Sequence, residues 1–229
     1  MYEAVSQNIS KVKQRIRLAA GICDRDPASI SLIVVSKTRP AEAVRAAAAA
    51  GCTAIGENYL QEALEKQQAL TDLDLEWHFI GPIQSNKTRP IAEHFDWVHS
   101  VDRLKVATRL NDARPPSLGP LKVCLQLNIG GEASKSGAAA DELADLAARV
   151  AELPKLQLRG LMAIPPPSDD PAVQRQQFGA LRLALESLQA TLPDLDTLSM
   201  GMSADLEAAI AEGATLVRIG TDIFGPRGG

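Results

Sequence analysis

Lys37 closes a short β-branched run, Leu32-Ile33-Val34-Val35-Ser36, which Thr38-Arg39-Pro40 brings to a stop. An amine at a strand end can form a Schiff base with an aldehyde. In a parallel α/β barrel the C-terminal strand ends are where such chemistry gathers. On position alone, a solvated lysine ending a strand is the simpler reading. The far end of the chain changes that balance. In Leu216-Val217-Arg218-Ile219, Arg218 takes the parity opposite to Val217 and Ile219. If those two meet helices, the guanidinium enters the interior and needs an acceptor, because an unpaired buried charge is expensive. A structural ion pair with a barrel carboxylate would meet that need equally well. Two donor-rich loops flank this strand. Ser199-Met200-Gly201-Met202-Ser203 leads into a helix, with Ser203 at its N-cap, and Gly220-Thr221 follows Arg218. Each could be an ordinary cap or turn, but as a pair they suit an anion. Asp205 and Asp222 would repel a phosphate unless they point away.

These residues need elements to position them. Strand-like runs recur at Leu32–Ser36, Thr53–Gly56, Trp77–Ile80, Trp97–Ser100, Leu121–Asn128, Gln157–Met162, Thr197–Met200 and Leu216–Ile219. Helix-forming stretches lie between them, among them Ala41–Ala50, Leu60–Leu70, Asp141–Leu153, Gln174–Ala190 and Asp205–Ala211. An amphipathic segment, Tyr2–Ile22, precedes the first strand. The rhythm predicts an α/β fold, a single TIM-type (β/α)8 barrel with an extra N-terminal helix, over residues 1–229 as one domain. A doubly wound open sheet is the alternative. Under the barrel reading Gln126 and Asn128 face inward, since Leu121, Val123, Leu125, Leu127 and Ile129 hold the other parity; a solvated edge strand would alternate in the same way.

Composition narrows the class. The chain has 229 residues, 45% hydrophobic, 23% charged and only 3% aromatic, so its core must be mostly aliphatic. A net charge of −4 without a basic, aromatic-interleaved stripe argues against nucleic acid. Three widely spaced cysteines, Cys23, Cys52 and Cys124, fit a reducing compartment and small buried side chains. Lys11, Lys13, Arg15 and Arg17 precede only Leu18-Ala19-Ala20, too little for a signal sequence or a membrane span. A cytoplasmic monomer is expected. His78, His94 and His99 lack metal-ligand spacing and read as core or surface histidines, with His78 a candidate pocket wall. The stretch Gly130–Ser136 resembles a P-loop, but Ile129 and Ser134 stand where its glycines are required. Asn58, in Gly56-Glu57-Asn58-Tyr59, could donate to a ligand or cap the next helix.

Taken in order, Val35-Ser36-Lys37, Gly56-Glu57-Asn58-Tyr59, Trp77 to Lys87, Gly131-Glu132-Ala133-Ser134-Lys135-Ser136-Gly137, Gly160-Leu161-Met162, Ser199 to Ser203 and Val217-Arg218-Ile219-Gly220-Thr221 closely resemble the pyridoxal phosphate homeostasis protein family. The resemblance spans nearly the whole chain. It implies a barrel similar to the N-terminal domain of alanine racemase, a fold-type III scaffold for pyridoxal 5'-phosphate (PLP). It further implies that Lys37 forms the Schiff base and that Arg218 partners the pyridine nitrogen. Ser199, Ser203, Gly220 and Thr221 would cradle the phosphate, with Asn58, His78 and Met200 as further contacts. Asp222 departs from the family pattern, where a small apolar residue is expected.

The chain stops shortly after Arg227, which leaves no room for the β-rich second domain of alanine racemase that supplies a catalytic tyrosine. A racemase needs acid and base on opposite faces of the carbanion, and Lys37 supplies one. The expected function is therefore intracellular PLP (vitamin B6) homeostasis, holding or transferring the cofactor without robust turnover, with PLP-dependent apoenzymes as candidate recipients. No catalytic residue and no metal is expected. An amino-acid racemase of the same fold is the alternative, and a Schiff-base aldolase acting on a sugar phosphate is a third.

Overall fold

The computed structural model describes residues 2–130 and 136–226. The stretch Gly131 to Lys135 and Arg227 lie outside the described residues. Eight parallel strands close a barrel in chain order. They are β1 (Ser31–Val35), β2 (Ala54–Glu57), β3 (Glu76–Phe79), β4 (Trp97–Val101), β5 (Leu121–Gln126), β6 (Leu156–Met162), β7 (Thr197–Ser199) and β8 (Leu216–Ile219). Closure comes from β1 pairing β8, with Ile33 opposite Arg218 and Val34 opposite Ile219.

Around it run α2 (Ala41–Ala49), α3 (Leu60–Ala69), α4 (Thr88–His94), α5 (Leu104–Ala113), α6 (Leu143–Ala151), α7 (Pro171–Gln189), α8 (Leu206–Ala211) and the short α9 (Thr221–Phe224). The extra helix α1 (Tyr2–Ile22) buries Val5, Ile9, Val12 and Ile16 and lies against α2, α8 and α9. Local chemistry marks the joints. Asp170 accepts from Ala172 N at 2.8 Å to cap α7, with Pro171 in the first turn where its missing N–H costs nothing. β5 ends at Gln126 rather than Asn128, because Asn128 N turns to the carbonyl of Ala138 at 3.1 Å.

Alternation along the strands sorts side chains into two apolar groups. The larger lies between barrel and helices and includes Val34, Ile55, Phe79, Val98, Leu125, Leu161, Val217 and Ile219. The smaller lies inside the barrel and consists of Ile33, Trp97, Cys124, Met162 and Leu216. Cys52 and Cys124 are buried as expected, whereas Cys23 is partly exposed; all three are free thiols. Burial pushes the Cys124 thiol up to about 12, which leaves it a packing group.

Candidate functional site at the barrel mouth

The strand registers bring the two ends of the sequence together. Val35 lies opposite Gly56 and Val34 opposite Ile219, so the chain leaving β1 runs between the ends of β2 and β8. Lys37 and Arg39 share a cavity with Val35, Gly220, Thr221, Phe224 and Gly225. Thr38 follows in the left-handed region at φ 62°, an uncommon conformation for a β-branched residue. Its N–H donates to Glu62 Oε2 at 2.8 Å, and Arg39 N donates to Ser36 O at 3.0 Å, which closes the turn behind Lys37.

A buried polar knot underlies that turn. Ser36 Oγ donates to Glu57 Oε1 at 2.5 Å, and Lys66 Nζ reaches the same oxygen at 2.6 Å and Ser36 O at 2.7 Å. Burial pushes the Glu57 carboxyl up while Lys66 and Ser36 pull it down. The knot ties the ends of β1 and β2 to α3. Sequence reasoning left Lys66 and the role of Glu57 unread, although Ser36 and Glu57, polar residues on outward-facing positions of strand ends, were a signal that a partner had to come from a helix.

Arg218 enters the barrel and is almost wholly buried. Its Nη1 donates to Ser199 Oγ at 2.7 Å and its Nη2 to Ala163 O at 2.9 Å. Burial lowers it to about 10, so it carries its charge at neutral pH. Among the described residues it forms no ion pair with a carboxylate, so the simplest structural alternative for this arginine does not describe it. Ser199 in turn meets His99 Nδ1 at 2.8 Å, His99 Nε2 meets His78 Nδ1 at 3.0 Å, and His78 Nε2 meets Glu76 Oε2 at 3.2 Å. Glu76 Oε1 accepts from Trp97 Nε1 and from Lys122 Nζ, each at 2.9 Å. Trp97 stacks on His78 with ring centroids 5.6 Å apart and planes 12° apart. A row of polar groups therefore crosses the barrel from its mouth to its N-terminal end, where TIM barrels ordinarily carry layers of branched aliphatics. Burial lowers both histidines, His99 further because His78 and Arg218 adjoin it, so both are neutral at pH 7. The hydrogen bond from His78, followed by those from Lys122 and Trp97, holds Glu76 well below the usual carboxylate range.

The two donor-rich loops meet where Asp222 N donates to Ser203 Oγ at 3.4 Å, and the second of them, with Gly220 and Thr221, lines the Lys37 cavity. Gly201 has φ 92°, and a Cβ there would lie 2.5 Å from Ala209 Cβ, so the first loop requires glycine. Each flagged carboxylate has a donor on one of its oxygens. Asp205 Oδ1 accepts from Met202 N at 2.6 Å, and Asp222 Oδ2 pairs with Arg15 Nη1 at 2.5 Å. Arg15 also donates to Ser203 O at 3.1 Å and grips Glu207 at 2.8 and 2.9 Å. Asp222, where a small apolar residue was expected, thus has a physical partner on α1.

Lys37, Arg218, Ser199, Ser203, Gly220 and Thr221 fall at the ends of β1, β7 and β8. Asn58 follows β2; its Oδ1 is buried with no hydrogen-bond partner among the described residues, and a Cβ on Gly81 would lie 2.2 Å from Asn58 O, so the loop after β3 closes directly on it. Two residues stand elsewhere than expected. The Met200 side chain packs in the layer between barrel and helices, and His78 lies within the barrel rather than on a pocket wall. Ser199 spends its hydroxyl on Arg218 and His99. Sequence reasoning gave no part in the site to Glu76, His99, Lys122 or Arg15, His99 being read only as a core or surface histidine. The first three were legible as polar residues at inward parity, with Glu76 and His78 two apart on β3 and Trp97 and His99 two apart on β4. Arg15 carried no local signal.

Comparison with known proteins bears on the family and the fold. The family model for the alanine racemase N-terminal domain matches residues 3–228. The pyridoxal phosphate homeostasis protein of Pseudomonas aeruginosa is 63% identical over 223 residues, covering 97% of this chain and 96% of that one. The structure of PipY from Synechococcus elongatus with PLP bound superposes with a TM-score of 0.85 at 39% identity, covering 96% of this chain and 100% of that one. Alanine racemase from Corynebacterium glutamicum, at 17% identity and a TM-score of 0.73 over 99% of this chain and 61% of that one, shares the fold.

Proposed function

The chain belongs to the pyridoxal phosphate homeostasis protein family, and on that premise we propose that it binds PLP at the barrel mouth and serves intracellular PLP homeostasis, without robust turnover of its own. The observation that carries this reading is the cavity shared by Lys37, Gly220 and Thr221, with Arg218 two residues before Gly220 on the same chain segment. When bound, PLP supplies an aldehyde that condenses reversibly with an amine, and a phosphate that needs donors.

The residues present fit that group. Lys37 supplies the amine. Ser203, Gly220 and Thr221 offer hydroxyl and backbone donors, and both nearby carboxylates are committed to other partners. The orphaned Asn58 Oδ1 is suited to accept from a ligand donor. Were the ring nitrogen to lie against Arg218, the cation would disfavour its protonation and leave the ring a weak electron sink. Ser199 and His78 act through Arg218, and Met200 acts by packing the loop that carries Ser203. No helix among the described residues is long and apolar enough to cross a membrane. The setting proposed is cytoplasmic, the protein a monomer over residues 1–229 as one domain, and the recipients PLP-dependent apoenzymes.

An absorption titration tests the reading. PLP should develop a visible band with the native protein and none with Lys37→Ala. Identical spectra for the two proteins would contradict it.

A further inference from the structure

The row of polar groups inside the barrel has a direction, which follows from counting hydrogens. Ser199 Oγ already accepts from Arg218 Nη1, and its own single hydrogen needs an acceptor. The available one is His99 Nδ1, at 2.8 Å. His99 must then carry its proton on Nε2 and donate to His78 Nδ1, and His78 must carry its proton on Nε2 and donate to Glu76. Every donor from Arg218 onward points toward one carboxylate. The reverse order fails at both ends. It would set a lone pair of His78 Nε2 against the Glu76 carboxylate, and it would leave the Ser199 hydrogen buried without an acceptor, an expensive arrangement in a fully enclosed site.

Glu76 is equipped to impose that direction. Lys122 and Trp97 hold it in place and keep it an acceptor, and its side chain is 40% exposed at the barrel end opposite the mouth. We infer that Glu76 is a positioning residue for the cofactor site: by fixing the tautomers of His78 and His99 it commits the Ser199 hydroxyl away from Arg218 and so holds the guanidinium oriented as a donor toward the ring nitrogen of bound PLP. The link to PLP rests on the function proposed above; the direction of the hydrogen bonds does not.

Two measurements on the full-length protein decide it. Histidine-labelled protein examined by long-range 15N–1H correlation near neutral pH should show His78 and His99 neutral, both protonated on Nε2, with exposed His94 as internal reference. Protonation of His99 on Nδ1, or a charged His78, overturns the inference without any ligand present. In Glu76→Gln the carboxamide can donate as well as accept, so the order is no longer imposed and the His99 tautomer, two links away, should shift toward Nδ1–H. Binding is then compared for PLP and for its 1-deaza analogue, which keeps the aldehyde and phosphate but lacks the ring nitrogen. Glu76→Gln should weaken PLP by about 3- to 10-fold and leave the analogue unchanged. Equal losses for both ligands, or altered tautomers with PLP affinity intact, overturn the positioning role. A native protein that binds neither ligand overturns the cofactor reading itself, while the tautomers still report the direction. Should Glu76→Gln fail to fold, Glu76→Asp, which keeps the charge but withdraws it from His78, carries the same comparison.

Discussion

Arg218, buried and charged with no carboxylate at ion-pair distance among the described residues, is held by neutral acceptors, with the histidines behind them and the Asp205 carboxylate supporting its charge from farther off. That arrangement has a consequence for pH. Both histidines are held below their ordinary value of about 6.5 by burial, so the unfolded chain takes up protons first as pH falls. The stability they contribute is complete above about pH 6.5 and is lost below it, by up to about 1.4 kcal/mol per pH unit for each histidine. Denaturant unfolding between pH 7 and 5 should show this slope, and a His78→Gln, His99→Gln double variant should flatten it; a native protein equally stable across that range would refute neutral buried histidines. Strand position and parity brought Lys37 and Arg218 forward as candidates, although a solvated lysine and a structural ion pair fitted the same pattern. Glu76 and His99 were not singled out, because a polar residue at inward parity on one strand gains meaning only when its partners on neighbouring strands are known.

Elements follow the sequence closely where pattern is local. β8 spans the expected Leu216–Ile219, while β1, β2 and β3 are displaced by one residue at each end. What sequence could not supply is the contact of α1 with the loops after β7 and β8, since Arg15 and Asp222 are 207 residues apart. Arg15 bridges Ser203 O on the loop after β7 and Asp222 in α9, next to Gly220-Thr221, so it should hold their donors in register. Arg15→Ala is expected to weaken PLP binding about 3- to 10-fold and to leave unphosphorylated pyridoxal nearly unaffected, with partial recovery in the Arg15→Asp, Asp222→Arg exchange. Equal losses for both ligands would indicate general loosening of α1 instead. The first loop depends on backbone as well. Gly201→Ala should destabilise the fold by about 1–3 kcal/mol in denaturant unfolding, because the left-handed φ and the close Ala209 Cβ both oppose a side chain.

At the scale of the molecule, parallel pairing of consecutive strands brings residues from both ends of the chain to one rim, and the closure between β1 and β8 sets Lys37 beside Gly220. The βα rhythm made the barrel predictable. The polar interior was not, because composition reports how many polar residues exist and not where closure collects them. Lys37 as the candidate base, with Arg218 proposed to face the ring nitrogen, predicts slow proton exchange at Cα. With L-alanine in deuterated water the holo-protein should neither deuterate Cα nor form D-alanine at rates near those of enzymes, on the order of 10 per second. Lys37-dependent racemisation at such rates would favour the racemase. The central claim is that Lys37 carries the cofactor, and borohydride reduction of the PLP-loaded protein followed by peptide mass mapping tests it most directly. A stable adduct on Lys37 is the predicted result, and label on Lys66, Lys87 or Lys135 with Lys37 unmodified would contradict it.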